Sequence, residues 1–197
     1  LLFETRPRKR DDPRPSLPVW GDPTILRPQP KPQHPKHVVL ISLDTLRARS
    51  MSAYGYPYET TPKLDRLIRE GTLFEKAFTT FSNTLGSHMS MLTGLYPANH
   101  EMVGVNPILD EAIPTLAQRM RDAGYETAAF TENALLRGDA GFRRGFARYH
   151  ENKEITRGAG DAKGTFTRAL EWARRRADEA LFLFVHTYEV HAPHLPP

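Results

Sequence analysis

Apolar and polar positions change rhythm at His37. From there Val38-Val-Leu-Ile-Ser-Leu43 is an unbroken apolar run rich in β-branched residues. That pattern predicts a strand buried within a parallel sheet. Residues 60–71 predict a helix, with a Thr cap, Pro62 in the first turn, apolar positions at Leu64, Leu67 and Ile68, and a stop at Gly71. Segment 72–80 reads as a second strand and 84–93 as a helix. Residues 113–123 are amphipathic and end at Gly124, and 125–130 then reads as a strand. Residues 131–164, rich in Gly and Arg, carry no clear period. Residues 165–177 are helical, and Leu181-Phe-Leu-Phe-Val185 is another buried strand. Strand and helix alternate, so the predicted class is α/β with a largely parallel sheet. No internal repeat is visible.

Composition adds a boundary and several exclusions. Residues 1–36 hold nine of the 17 prolines and eight of the 27 Lys and Arg residues, without apolar periodicity. They predict an extended or disordered linker preceding a folded segment over 37–197. The basic run lacks the interleaved aromatics that base stacking needs, so nucleic acid is not an expected partner. No apolar run is long enough to span a bilayer, and no signal peptide is visible. Without cysteine there is no disulfide framework, thiolate metal site or Cys nucleophile. The chain starts at Leu1 and stops at Pro196-Pro197 just after a motif. The expectation is therefore a fragment of a longer protein.

Ligands of open α/β sheets gather beyond the carboxyl ends of the strands. Three segments deliver polar groups to that edge. Asp44 directly follows the first strand, where a metal ligand would sit. Thr84-Leu-Gly-Ser-His-Met-Ser-Met-Leu-Thr-Gly94 places a hydroxyl where a helix begins, a setting that favours anions. His186 and His191 follow the last strand, in Val185-His-Thr-Tyr-Glu-Val-His-Ala-Pro-His194. Each has a plainer reading. Thr84 can serve as an N-cap and Asp44 can cap a turn, while Ser87 and Ser90 can be interior helix serines. His100 and His194 read as surface or loop residues. No His-x-x-x-His pair supports a zinc site built on one helix.

From Val38 to Pro197 the chain resembles the N-terminal part of the sulfatase family, in the alkaline phosphatase superfamily. The resemblance rests on Val38-Val-Leu-Ile-Ser-Leu-Asp44-Thr-Leu-Arg47, Tyr54-Gly-Tyr-Pro57, Thr61-Pro-Lys-Leu-Asp65, Gly71-Thr-Leu-Phe-Glu-Lys-Ala77, residues 84–97, and His186 with His191-Ala-Pro. It implies an alkaline-phosphatase-like α/β fold, a largely parallel or mixed sheet with helices on both faces, incomplete in this chain. It also implies one divalent metal at the strand ends, calcium first, and a covalent intermediate on the nucleophile. In the family register Thr84 takes the nucleophile position, Ser87 the Ser and His88 the Arg of Cys/Ser-x-Pro-Ser-Arg, with Gly86 replacing Pro. Threonine cannot mature to the family's aldehyde, because a secondary alcohol gives a ketone. It would attack as a metal-activated alkoxide, a setting where Mn, Zn or Mg are alternatives to Ca. Thr45 replaces the family's second Asp as the neighbour of Asp44 in the metal site, and Arg49 stands where relatives often have an acid.

The resemblance thus implies a metal-dependent hydrolase of sulfate or phosphate esters, with an anionic ester as substrate. Asp44 and Thr45 would face the metal, and Thr84 would attack. His88 and His191 would stabilise the transferring oxygens or protonate the leaving alcohol. Ser87 and His186 would bind substrate, Ser87 being the alternative nucleophile. It implies export as well. Two rivals remain: a phosphoethanolamine- or phosphoglycerol-type transferase, and a non-catalytic anion-binding protein on the same fold. The family's late Asp–Asn or Asp–His pair and its Lys match no position before Pro197.

Overall fold

A computed structural model describes residues 36–132, 135–152 and 160–192. Apart from Lys36, the expected linker 1–36 lies outside the described residues, as does His194. In chain order the elements are β1 (His37–Leu43), α1 (Pro62–Arg69), α2 (Thr84–Thr93), α3 (Pro97–His100), α4 (Leu116–Asp122), β2 (Glu126–Glu132), β3 (Arg148–Asn152), α5 (Ala162–Arg174) and β4 (Leu181–Thr187). The four strands form one sheet in the order β1-β4-β2-β3, with every pairing parallel. Ser42 lies opposite His186 and Leu43 opposite Thr187, so the carboxyl ends of β1 and β4 finish level.

The sheet has helices on both faces. Phe130, Leu181, Leu183 and Val185 pack with Ala169 and Trp172 of α5. On the other face, Phe184 and Ala129 meet Met89 and Leu92 of α2, while Phe182 meets Ala117 of α4. Alternation along β4 therefore turns residues 182, 184 and 186 toward α2. The same alternation places Leu40 and Ser42 of β1 on that side.

Local chemistry sets the helix ends. Asn83 caps α2, its side chain accepting from the Gly86 N–H at 3.0 Å, and Gly94 ends the helix in the left-handed region. Thr84 is thus the first helical residue; the cap role belongs to its neighbour. Thr115 and Gln118 form a reciprocal capping box on α4. Gly145 is required for a different reason. Its φ is +87°, and a Cβ there would lie 2.1 Å from the Gln118 nitrogen. Its carbonyl also accepts from Thr127 Oγ1 at 2.7 Å. Gly145→Ala should therefore cost about 3 kcal/mol or more, because the clash is with backbone. Chemical denaturation checks it, and an unchanged midpoint would refute it.

Three sequence expectations need correction. Segment 72–80 forms no strand. Phe74 and Phe78 are 72% and 88% exposed, and apolar residues there come in adjacent pairs that cannot share one face. The run at β1 is partly buried, and on one face only: Val39 and Ile41 are about half exposed, since α5 packs on β4 and β2. The stretch expected to be irregular contains β3, whose polar residues suit a strand paired on one side.

Candidate active site

The cleft at the carboxyl ends of β1 and β4 has a volume of about 1040 Å3. Asp44, Thr45, Thr84, Ser87, His88 and His191 all line it. Asp44 is buried just past β1, held by its backbone N–H donating to the Thr187 carbonyl at 3.1 Å. His186 Nε2 lies 3.4 Å from Asp44 Oδ2. From α2, His88 descends onto the same spot, its ring centroid 5.0 Å from that of His186. Together Asp44, His88 and His186 are buried, with ligand atoms within 4.8 Å of one another.

The hydrogen bonds fix the state of His88. Nδ1 lies 2.7 Å from the Thr84 carbonyl, which can only accept, so Nδ1 carries the proton. Nε2 then presents its lone pair and accepts from Ser42 Oγ at 2.7 Å. Burial, then the neighbouring His186, pushes the His88 pKa down to about 4, against the opposing pull of the Thr84 carbonyl and Asp44. His88 is thus neutral near pH 7. Burial alone would raise the Asp44 carboxyl. Hydrogen bonding by His186 and Thr84 and the nearby imidazoles outweigh that and hold it below the usual value. His186 Nδ1 is buried with no hydrogen-bond partner among the described residues.

Thr84 is half-buried at the start of α2, its hydroxyl interacting with Asp44. The Ser87 hydroxyl donates into its own helix, to the Asn83 carbonyl at 2.7 Å. His191 sits at the rim, its ring edge-on to Tyr188 at 5.4 Å and its Nδ1 bonded to the Ala192 carbonyl. Thr45 has a φ of +62°, an uncommon conformation for a β-branched residue and a source of strain. Its hydroxyl donates to the Val190 carbonyl at 3.1 Å. That contact ties the turn after β1 to the turn after β4.

Some residues escaped the sequence reading. Tyr188 is buried, with its ring 4.5 Å from that of His186. Burial, then Asp44, pushes its phenol up to about 12, so it stays a donor near Thr84. Glu132, fully buried at the end of β2, accepts from the Tyr188 N–H at 2.6 Å. An acid ending a strand, as Asp44 does, was the available signal. His100 is no surface residue: it is buried, bonded to Ser90 Oγ at 2.9 Å and accepting from the Met102 N–H. His88 and His186 also escape a helix-spacing rule, because one comes from α2 and the other from β4.

A family model described as Sulfatase matches residues 36–197. The N-acetylgalactosamine-6-O-sulfatase of Bacteroides thetaiotaomicron is 34% identical over 96 residues, 46% of this chain and 19% of that protein. The phosphoethanolamine transferase EptC of Escherichia coli strain K12 is 30% identical over 130 residues, 64% of this chain and 22% of its own length. The solved C-terminal periplasmic domain of Escherichia coli EptC, in complex with Zn, matches with a TM-score of 0.61 at 24% identity. That match covers 77% of this chain and 43% of that one. The chain thus spans about a fifth of the length of these curated relatives.

Proposed function

The chain belongs to the sulfatase family, in the alkaline phosphatase superfamily, and on that premise we propose that it is the nucleophile-bearing part of a metal-assisted esterase acting on sulfate or phosphate esters. The observation that carries this reading is Thr84. Its hydroxyl stands at the first residue of α2, against Asp44, at the wall of a cleft large enough for a small anionic ester.

The donor set fits a divalent cation, since a lowered carboxyl and a neutral imidazole need no proton loss to bind one. Asp44, with His88 and His186 beside it, would hold the ion. When bound, it supplies positive charge that eases loss of the Thr84 proton. Thr84 Oγ then bonds to sulfur or phosphorus as the ester oxygen leaves, its own proton passing to solvent in the open cleft. The leaving alcohol takes a proton, for which His191 at the rim is the candidate donor. Water attacks the Thr84 ester next, releasing the inorganic anion and restoring the hydroxyl. In this register Ser87 at the cleft wall orients the substrate oxygens, Tyr188 packs behind His186 and His191, and Thr45 keeps the two turns together.

The same covalent step serves a transferase in which an acceptor hydroxyl replaces water. The 30% identity to EptC over 64% of this chain supports that second reading beside the first. Export belongs to the proposal, supported by the periplasmic setting of the EptC domain. No helix of the described residues is long and apolar enough to cross a membrane.

The test is an assay panel of aryl sulfate, aryl phosphate and aryl phosphodiester with the full chain, after chelation and readdition of Zn, Mn, Mg or Ca. Mass spectrometry would follow the mass of the peptide containing Thr84. Expected is metal-dependent turnover of at least one ester with an adduct on that peptide. An adduct that forms but turns over only with an added alcohol would select the transferase. Absence of any adduct with every ester and metal would end the proposal.

A further inference from the structure

We propose that Thr45 is a positioning residue for His191, its hydroxyl holding the Val190–His191 peptide where the imidazole meets the leaving alcohol. This rests on the esterase reading above, in which His191 is the donor to the departing oxygen.

β1 and β4 are parallel, so no hairpin joins their carboxyl ends. Thr45 and Val190 are 145 residues apart in sequence, and only contacts made in space can hold the two turns in step. Two successive residues leaving β1 supply them. The Asp44 N–H donates to the Thr187 carbonyl, and the Thr45 hydroxyl donates to the Val190 carbonyl, both at 3.1 Å. That second carbonyl shares a peptide unit with the His191 N–H, which donates to the Tyr188 carbonyl at 2.7 Å. The planar Val190–His191 peptide is therefore pinned at both of its polar ends. Beyond it the His191 ring stands edge-on to Tyr188, and its Nδ1–H donates to the Ala192 carbonyl. Nε2 is the nitrogen left for chemistry. As an imidazolium the ring passes the Nε2 proton to the ester oxygen while the bond to sulfur or phosphorus breaks. It regains one from solvent.

The backbone of Thr45 fits this role. Its φ of +62° strains a β-branched residue; glycine would relax the turn but brings no donor to Val190. β-branching also restricts χ1, so the turn aims the hydroxyl in few directions. Thr45 is exposed, so water can take the Val190 carbonyl when the hydroxyl is lost. The loss then falls on aim rather than on stability.

The experiment compares wild type, Thr45→Val, Thr45→Ser, His191→Gln and the double variant Thr45→Val/His191→Gln of the full chain. Adduct formation on the Thr84 peptide is timed with phenyl and 4-nitrophenyl esters of the anion that wild type accepts. Amide hydrogen exchange, read by NMR, follows the clasp independently of activity. Thr45→Val should slow the phenyl ester about 10–100-fold, since a misplaced acid fails the alcohol that needs its proton. The 4-nitrophenyl ester, whose phenolate leaves unaided, should slow far less. In the His191→Gln background Thr45→Val should add nothing, and Thr45→Ser, which keeps the donor, should recover most of the phenyl ester rate. The His191 amide of Thr45→Val should exchange about tenfold faster or more, with the amides of β4 unchanged. Equal slowing of both esters, as weakened cation binding would give, would overturn the proposal. So would an additive loss in the double variant, or unchanged exchange at His191. Each of these leaves the esterase reading standing. A wild type that forms no adduct with any ester removes that reading itself, and with it the acid role of His191.

Discussion

Thr84→Ala should lower turnover of the responsive ester by about a thousandfold or more, with no covalent adduct and little loss of stability. The magnitude follows from deleting the atom that forms the bond; cleft and cation then supply only binding and charge. Retention of the fold follows from the local structure. The cap of α2 is Asn83, the residue is half-buried, and alanine is a better helix former than threonine. The backbone carbonyl of Thr84, which the substitution leaves in place, fixes the His88 tautomer. Metal affinity should therefore stay within a few-fold of wild type. Thr84→Ser should retain a measurable part of the rate because the hydroxyl survives. Steady-state kinetics, a thermal melt and a metal titration read the three expectations separately. A Thr84→Ala protein that turns over normally would move the nucleophile elsewhere, with Ser87 first in line. Yet Ser87 donates its proton to its own helix, which makes that outcome hard to explain.

The sequence was most readable where one physical constraint dominated. The helix expected at 84–93 is the helix observed, because a polar start, an apolar face and a terminal glycine all agree. Both long apolar runs became neighbouring parallel strands, β1 and β4. Asp44 after β1, His186 near the end of β4 and His191 beyond it reach the same edge because strand-end position depends only on chain direction. Readability failed where tertiary partners decide. The polar segment Arg148–Asn152 becomes a strand only because β2 offers it an edge. Segment 72–80 has strand-forming residues and finds no pairing among the described residues. His88 was expected to replace an arginine near the substrate. Its placement over Ser42 and His186 depends on the packing of α2 against the sheet, which no local pattern encodes. Glu132 was missed because its three donors come from α5 and the exit of β4, far away in sequence.

Glu132→Ala should be the most destabilising single change near the site, by about 3–5 kcal/mol. Glu132 is fully buried, and its two oxygens accept from the Tyr188 N–H at 2.6 Å, the Asp161 N–H at 3.1 Å and Thr165 Oγ1 at 3.1 Å. It therefore ties the end of β2 to the first turn of α5 and to the exit of β4. Truncation strands three donors at once and leaves a cavity, each lost partner costing about 1–3 kcal/mol when buried. In a chain of this size the loss corresponds to a fall in melting temperature of roughly 10 °C. Glu132→Gln tests the chemistry apart from the volume. It keeps one acceptor oxygen and turns an NH2 toward a donor, so it should fall between wild type and alanine. Thermal melts and urea midpoints rank the three proteins. Tyr188 hangs on that carboxylate by its backbone and packs its ring on both His186 and His191. The glutamine protein, if folded, should therefore turn over the responsive ester more slowly than wild type although residue 132 does not line the cleft. Equal stability of all three proteins would show that water or relaxed backbone replaces the carboxylate, and that β4 is positioned by its strand pairing alone.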